Sequence, residues 1–249
     1  MSHRVYFTAE GGDALKFAME HLKLGGAKIT DLPSPIVTDV LLGVPCRTSS
    51  EDLNSILAAL SPEVRIYGGF LDREELKGYQ CYDLLKNEGY LAKNAAITAH
   101  CALQLAAQRL PVILAGCQVL VLGWGRVGKC LAKLLKDTGC DVTVGVRKEE
   151  QRAMLEALGY NGAALPLQEY TLPQFRAIFN TIPSPILSAD TLDLCRDGCV
   201  KLELASEDGL AGKDVLIARG LPGKMAPESS GHLIAQTVMA LNAVKEDRI

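Results

Sequence analysis

The most specific chemistry in the chain lies in Gly123-Trp124-Gly125-Arg126-Val127-Gly128. The apolar run Val119–Leu122 leads in and the helix-forming Lys129–Lys136 leads away, so a G-x-G-x-x-G turn joins a strand to a helix. In that setting Gly123 makes the tight turn, Gly125 lets a pyrophosphate approach the backbone, and Gly128 brings helix and strand close. The free N–H groups and positive end of the helix suit phosphates. Val119–Lys148 is therefore expected to bind a dinucleotide. About twenty residues on, an NAD site ordinarily places a carboxylate for the ribose 2′-hydroxyl. This chain has Gly145-Val146-Arg147-Lys148 there, and two cations without an acid suit the 2′-phosphate of NADP, with NAD the alternative. In the opposing reading, Arg147 and Lys148 solvate the head of the next helix with Glu149 and Glu150 as partners.

Two further loops leave apolar strands on the same edge: Asn180-Thr181-Ile182-Pro183 and Arg219-Gly220-Leu221-Pro222-Gly223-Lys224. Ligands of open α/β sheets bind at the carboxyl ends of strands, so both loops are expected to flank the nicotinamide. Proline and glycine are also the ordinary residues of plain turns, and that reading stands beside it. Trp124 either shields the pyrophosphate or packs on a helix between domains.

These groups need a frame. Gln118–Leu122, Asp141–Val146, Ala177–Asn180, Cys199–Leu204 and Val215–Ala218 read as strands, and Val127–Asp137 and Glu149–Leu158 as helices between them. That alternation predicts an α/β fold with a doubly wound parallel sheet of the Rossmann kind. The first ninety residues alternate shorter segments, Val5–Thr8, Asp13–Leu24, Ala27–Thr30, Ile36–Leu42, Leu53–Leu60 and Val64–Tyr67, which predicts a smaller N-terminal α/β domain. Asn94–Leu110, rich in alanine and leucine and stopped by Pro111, reads as a bridging helix, and Ser229–Val244 as a C-terminal helix packing back on the first domain. The expected division is residues 1–92 with the helix 228–249, and residues 93–227 as the nucleotide-binding domain, with a cleft between them.

Composition sets limits. A chain of 249 residues with 48% hydrophobic and 22% charged residues is an ordinary globular protein, and a net charge of -3 gives no general reason to bind nucleic acid or an anionic membrane. No run reaches the length of a membrane span and no apolar leader follows Met1, so a cytoplasmic setting is expected. The eight cysteines are expected to be buried thiols. They contain no C-x-x-C, and the closest pair, Cys195 and Cys199, has no second pair or nearby histidine, so no metal site is expected.

Taken together, several segments resemble the dipicolinate synthase A-subunit family, pyridine-nucleotide-binding proteins of bacterial sporulation. The resemblance runs from Tyr82 to Ala240 and rests on Tyr82-Asp83-Leu84-Leu85, Asn94 with Thr98-Ala99, Val119–Gly128, Arg147, Asn180–Pro183, Gly220–Lys224 with Ala226-Pro227, and Gly231. Upstream, Gly11-Gly12-Asp13 looks like the family's early glycine-aspartate turn. The resemblance implies dipicolinic acid biosynthesis: NADP-dependent oxidation of a dihydrodipicolinate-type intermediate to pyridine-2,6-dicarboxylate, in company with a flavoprotein-like B subunit. A small dicarboxylate is the implied substrate, and a homo-oligomer is expected. Asp13 and Arg219 become candidate substrate ligands, and Thr98, His100 and Lys224 candidate catalytic residues.

The chain departs from the family at Thr98-Ala99-His100-Cys101, where the family has Thr-Ala-Glu-Gly, so an imidazole stands in for a carboxylate. The first domain is also shorter than the family's. His100 can serve as a general base near neutral pH, or it is a partly buried histidine satisfied by a carbonyl. Asp13 either touches substrate or caps the helix from Ala14, and Lys224 either binds an acid group or is simply solvated. Two other functions remain: another NADP-dependent dehydrogenase of a small carboxylate or imine, and a catalytically silent nucleotide-binding protein that works by association.

Overall fold

The computed structural model describes residues 4–246. Positions 1–3 and 247–249, where the expected first domain begins and the expected C-terminal helix ends, lie outside the described residues. The chain divides into two compact units, one made of residues up to Asn94 together with those from Pro222 onward, the other of Ala95–Leu221.

In the first unit, β1 (Val5–Phe7), β2 (Lys28–Thr30), β3 (Asp39–Leu41), β4 (Arg65–Gly68) and β5 (Gln80–Asp83) form a parallel sheet in the order β2-β1-β3-β4-β5. Side chains alternate across it. Phe7, Val40 and Ile66 face Leu53 and Leu57 of α2 (Ser50–Ala58), whereas Tyr6, Asp39 and Tyr67 gather around Asn242. Asn242 belongs to α8 (Pro227–Glu246), which packs along α1 (Asp13–Leu24). A side chain at Gly231 would run into the α1 backbone at Ala14, so glycine there allows close approach of the two helices. α1 buries Leu15, Ala18, Met19 and Leu22, a stripe at helical spacing.

Asp39 is fully buried, yet ionic: Arg65 lies 3.0 Å and Arg4 3.4 Å away, and Thr38 donates its hydroxyl at 2.6 Å. Asn242 receives the Tyr67 hydroxyl at 2.6 Å and donates to the Tyr6 oxygen at 2.9 Å, which ties α8 to the sheet. Burial, with the Asp39 charge behind it, pushes Tyr6 up to about 12 and raises Tyr67 as well, so both phenols keep their protons.

In the second unit, β6 (Gln118–Leu122), β7 (Asp141–Val146), β8 (Asn161–Ala164), β9 (Ala177–Asn180), β10 (Val200–Glu203) and β11 (Val215–Ile217) form a parallel sheet in the order β11-β10-β9-β6-β7-β8. The chain runs outward from β6 through β7 and β8, then crosses back to β9 beside β6, the doubly wound order of dinucleotide-binding sheets. The α/β class, the parallel Rossmann-type sheet and the packed-back C-terminal helix are as the sequence indicates. α4 (Arg126–Asp137) and α5 (Glu149–Ala157) follow β6 and β7.

Several elements differ from expectation. β5, β8, the short α6 (Ala189–Asp193) and α7 (Leu221–Met225) lie where the sequence indicates no element. α3 spans Glu88–Ala107, starting six residues before Asn94, because the Asn87 side chain accepts the Tyr90 N–H at 2.9 Å and starts the helix there. All eight cysteines are free, but Cys46, Cys81, Cys130 and Cys195 are half-buried, which corrects the expectation of uniformly buried thiols. Among the described residues no helix is long and apolar enough to cross a membrane.

Replacing Asp39 by alanine leaves Arg4 and Arg65 without their buried counter-charge, a change that ordinarily costs about 3–5 kcal/mol. Urea unfolding of the Asp39→Ala variant should show a loss of that size; a loss below about 1 kcal/mol, the scale of an exposed pair, would mean that the network is energetically neutral.

Candidate functional site

The strand order reverses between β6 and β9, and the loops after these two strands meet. Thr181 donates its N–H and its hydroxyl to Leu122 O, at 3.0 and 2.8 Å. Gly123 turns with φ 101°, and a side chain there would come within 2.6 Å of Thr181 Oγ1 and 2.9 Å of Ile182. A side chain at Gly128 would strike Gly123 O, which is why the first turn of α4 can lie against the end of β6. Gly125 differs: beyond its immediate neighbours along the chain, no atom lies within 4 Å of where its side chain would begin. It is also the N-cap of α4 and offers no side-chain hydrogen bond to the helix. The turn therefore has two glycines closed in by protein and one, at the helix head, open on its side-chain side, the pattern of a phosphate-binding turn.

The loop after β9 is fixed from below by residues of unequal prominence in the sequence. Asn180 is fully buried: its amide donates to the Ile182 carbonyl and to both oxygens of Glu203, and its oxygen accepts the Ile182 N–H at 3.0 Å. Glu203, also fully buried, accepts the N–H groups of Ala205, Gly209 and Leu210 at 2.8 to 3.1 Å. The Asn180 side chain is thus committed to shaping the edge, and Thr181, Ile182 and the exposed Pro183 present it. Sequence reasoning misses Glu203 because an acid inside a strand reads as a solvent-facing residue.

Arg147 and Lys148 are exposed at the end of β7. Arg147 reaches the Ser184 hydroxyl at 3.3 Å, and Glu149 is engaged by Arg152. Neither cation has a carboxylate partner among the described residues. The Trp124 ring stands edge-on to Tyr160 at 5.6 Å with the Lys129 ammonium over it at 5.9 Å. Arg126 and Val127 begin α4.

The other candidates are spread more widely. Arg219 is bound to Asp208 at 2.6 Å and to the Ala205 carbonyl at 2.8 Å, so its guanidinium braces the loop after β10. The loop expected after β11 is instead the start of α7, with Leu221 and Pro222 buried and Lys224 exposed. Thr98 and His100 share α3 but lie about 200° apart around it, at 3.6 residues per turn. Thr98 is half-buried and His100 exposed, so the satisfied, partly buried histidine is not what the structure contains. Asp13 is the first residue of α1 rather than its cap, is exposed and pairs with Lys16 at 3.2 Å; it and Lys224 belong to the first unit.

Comparison with known proteins agrees with this geometry. The NADPH-binding domain family of acetohydroxy acid isomeroreductase matches residues 113–172, which include the glycine turn and Arg147. The A subunit of dipicolinate synthase from Bacillus subtilis (strain 168) is 29% identical over 168 residues, which make up 64% of this chain. The resemblance to the dipicolinate synthase A-subunit family holds. The match spans 57% of that relative's length. In solved structures, the A chain of Bacillus subtilis dipicolinate synthase superposes with a TM-score of 0.79 at 21% identity, covering 100% of this chain and 98% of that one. An L-alanine dehydrogenase superposes with a TM-score of 0.68 at 15% identity, covering 96% of this chain and 80% of that one. At these identities the superpositions speak for the fold alone; the matched NADPH-binding domain supports a nicotinamide cofactor.

The glycines give a direct check. Gly128→Ala should cost about 1–3 kcal/mol through overpacking, whereas Gly125→Ala should stay within about 0.5 kcal/mol. Equal losses in urea unfolding would show that Gly125 is held by protein packing after all.

Proposed function

We propose that the protein is an NADP-dependent oxidoreductase of the dipicolinate synthase A type, oxidising a dihydrodipicolinate-type ring to pyridine-2,6-dicarboxylate. The observation that carries this reading is the glycine turn with Arg147 and Lys148 beside it and no carboxylate at the end of β7. A guanidinium grips a phosphate bidentately, and Ser184 holds Arg147 at the rim of the same edge. A nicotinamide held there would supply the hydride acceptor for a ring carbon, and loss of a ring proton would complete aromatisation. The head of α4 and the turn Gly123–Gly128 hold the pyrophosphate, and Thr181, Ile182 and Pro183 flank the nicotinamide. The His100 imidazole takes the ring proton. Lys224, exposed and without a partner among the described residues, is a cation available to a carboxylate. A homo-oligomeric state, a cytoplasmic setting and a flavoprotein-like B subunit belong to the same proposal.

One observation favours a second reading. An exposed imidazole in the position of the family's carboxylate suits another NADP-dependent dehydrogenase, acting on a different small carboxylate or imine.

NADPH should bind at least about tenfold more tightly than NADH, since one charge-assisted contact to the 2′-phosphate is worth about 1.5–3 kcal/mol. Arg147→Asp should reverse the preference in equilibrium titrations, and tighter NADH binding by the unaltered protein sinks the NADP assignment. Mixing the protein with NADP and dihydrodipicolinate generated in situ should give the absorbance of pyridine dicarboxylate, with or without a B subunit. His100→Ala should slow it about 10²- to 10⁴-fold, the usual contribution of a general base. An unchanged rate removes His100 from the mechanism, and no product with nucleotide bound favours the second reading.

A further inference from the structure

The first unit has its own reversal of strand order. From β1 the chain passes to β2 on one side and then to β3 on the other, and in open α/β sheets the crevice at such a point, beyond the carboxyl ends of the strands, is where ligands bind. A recess of about 700 Å³ lies there, lined by Thr8, Glu10 and Gly11 after β1, Asp31 after β2, and Arg47 and Thr48 after β3. That volume is in the range of small-molecule sites.

The recess is built rather than incidental. Glu10 crosses from the first loop to the third, where its carboxylate accepts the Thr48 hydroxyl at 2.6 Å and the N–H groups of Arg47 and Thr48 at 3.1 and 3.2 Å. Residue 43 is glycine at the point where a side chain would run into that carboxylate. Burial pushes the Glu10 acid up, but hydrogen bonds from Thr48, Cys46 and the Arg47 and Gly43 amides outweigh it and hold the group below the usual range. Glu10 is therefore a fixed negative charge at the floor.

Arg47 supplies the opposite charge. Its guanidinium is exposed on the recess and has no hydrogen bond or ion pair among the described residues, whereas Arg4, Arg65, Arg73, Arg152 and Arg219 each meet a carboxylate. Asp52 also lines the recess, bound to the Ser49 hydroxyl at 2.7 Å, and Asp31 is exposed on it. One free guanidinium among three carboxylates does not favour a bare dianion. It suits a ligand whose carboxylate meets Arg47 and whose adjoining N–H faces the acids.

We propose that this recess binds an amino or imino carboxylate, with Arg47 as the residue that holds its acid group. This adds a recess and an acid-binding residue to the function proposed above and rests on that reading for the reaction, while the binding itself is measured apart from turnover. Arg47 is not among the residues the sequence singles out.

The test uses the full chain and two probes of one shape: pipecolate, a ring with a carboxylate beside a protonated nitrogen, and cyclohexanecarboxylate, the same ring without it. In calorimetric titration pipecolate should bind, and cyclohexanecarboxylate at least about tenfold more weakly. Arg47→Gln should weaken pipecolate by about 10- to 100-fold, the size of one charge-assisted pair. Arg47→Lys should fall between. NADPH affinity and the melting temperature should be unchanged in both variants. Asp31→Asn should narrow the gap between the probes. Equal binding of the two probes, no binding of either, or an unaltered affinity in Arg47→Gln overturns the proposal. If the binding pattern is found but no pyridine dicarboxylate forms, the dipicolinate reaction fails and the recess assignment stands; if product forms with the same KM in Arg47→Gln, the reverse holds.

Discussion

Glu203 holds the carboxyl edge of the second sheet in shape. It is a carboxylate with no exposure to solvent, and a buried charge persists only if its oxygens are fully hydrogen-bonded. Three backbone N–H groups from the loop after β10 and the amide of Asn180 meet that requirement. Asn180 in turn fixes Ile182, and Thr181 and Ile182 lie against Gly123. The conformation of the glycine turn is thus set partly by a residue far later in the chain. Arg219 extends the same bracing by taking the Ala205 carbonyl. A loop organised in this way is stiff before any ligand arrives, and a preorganised site loses less on binding.

What the sequence shows of this depends on where each residue sits in its sheet. The central strands β6 and β9 are buried on both faces and read as continuous apolar runs, so their limits are plain from Gln118–Leu122 and Ala177–Asn180. The edge strands β5 and β8 are not. Gln80-Cys81-Tyr82-Asp83 and Asn161-Gly162-Ala163-Ala164 lack an apolar run because none of their residues is fully buried, and their pairing with β4 and β7 is decided by tertiary contact. α7 hides for another reason, since Leu221-Pro222-Gly223-Lys224-Met225 carries the two residues that ordinarily mark a turn. The glycine motif is legible because its flanks are. Glu203 and Arg47 are not, because a charged residue shows its partners only in three dimensions.

The proposed preference for NADP shows how a local absence acquires physical content. Arg147 and Lys148 in the sequence are two cations followed by two acids, and pairing within that run would have left nothing for a phosphate. In the fold Glu149 turns to Arg152 along its own helix, three residues on, as helical spacing dictates. Arg147 turns the other way, to Ser184 in the loop after β9. The helix geometry of α5 therefore frees the cation that the sequence alone leaves open to either reading.

Both units meet the same physical problem with the same device. A parallel sheet whose strand order reverses leaves two loops diverging from adjacent strands, and nothing in the ladder itself fixes the gap between them. In the second unit the gap is bounded by Thr181 on Leu122, with Glu203 and Asn180 beneath; in the first, Glu10 spans it from the loop after β1 to Arg47 and Thr48. Each bridge relies on a carboxylate satisfied by backbone N–H groups, which fixes loops without using up a cationic side chain. The consequence differs by charge. The second edge keeps Arg147 and Lys148 without a carboxylate partner among the described residues, the basis of the proposed phosphate contact, whereas the first keeps Arg47 unpaired among acids, the basis of the proposed ligand carrying both signs.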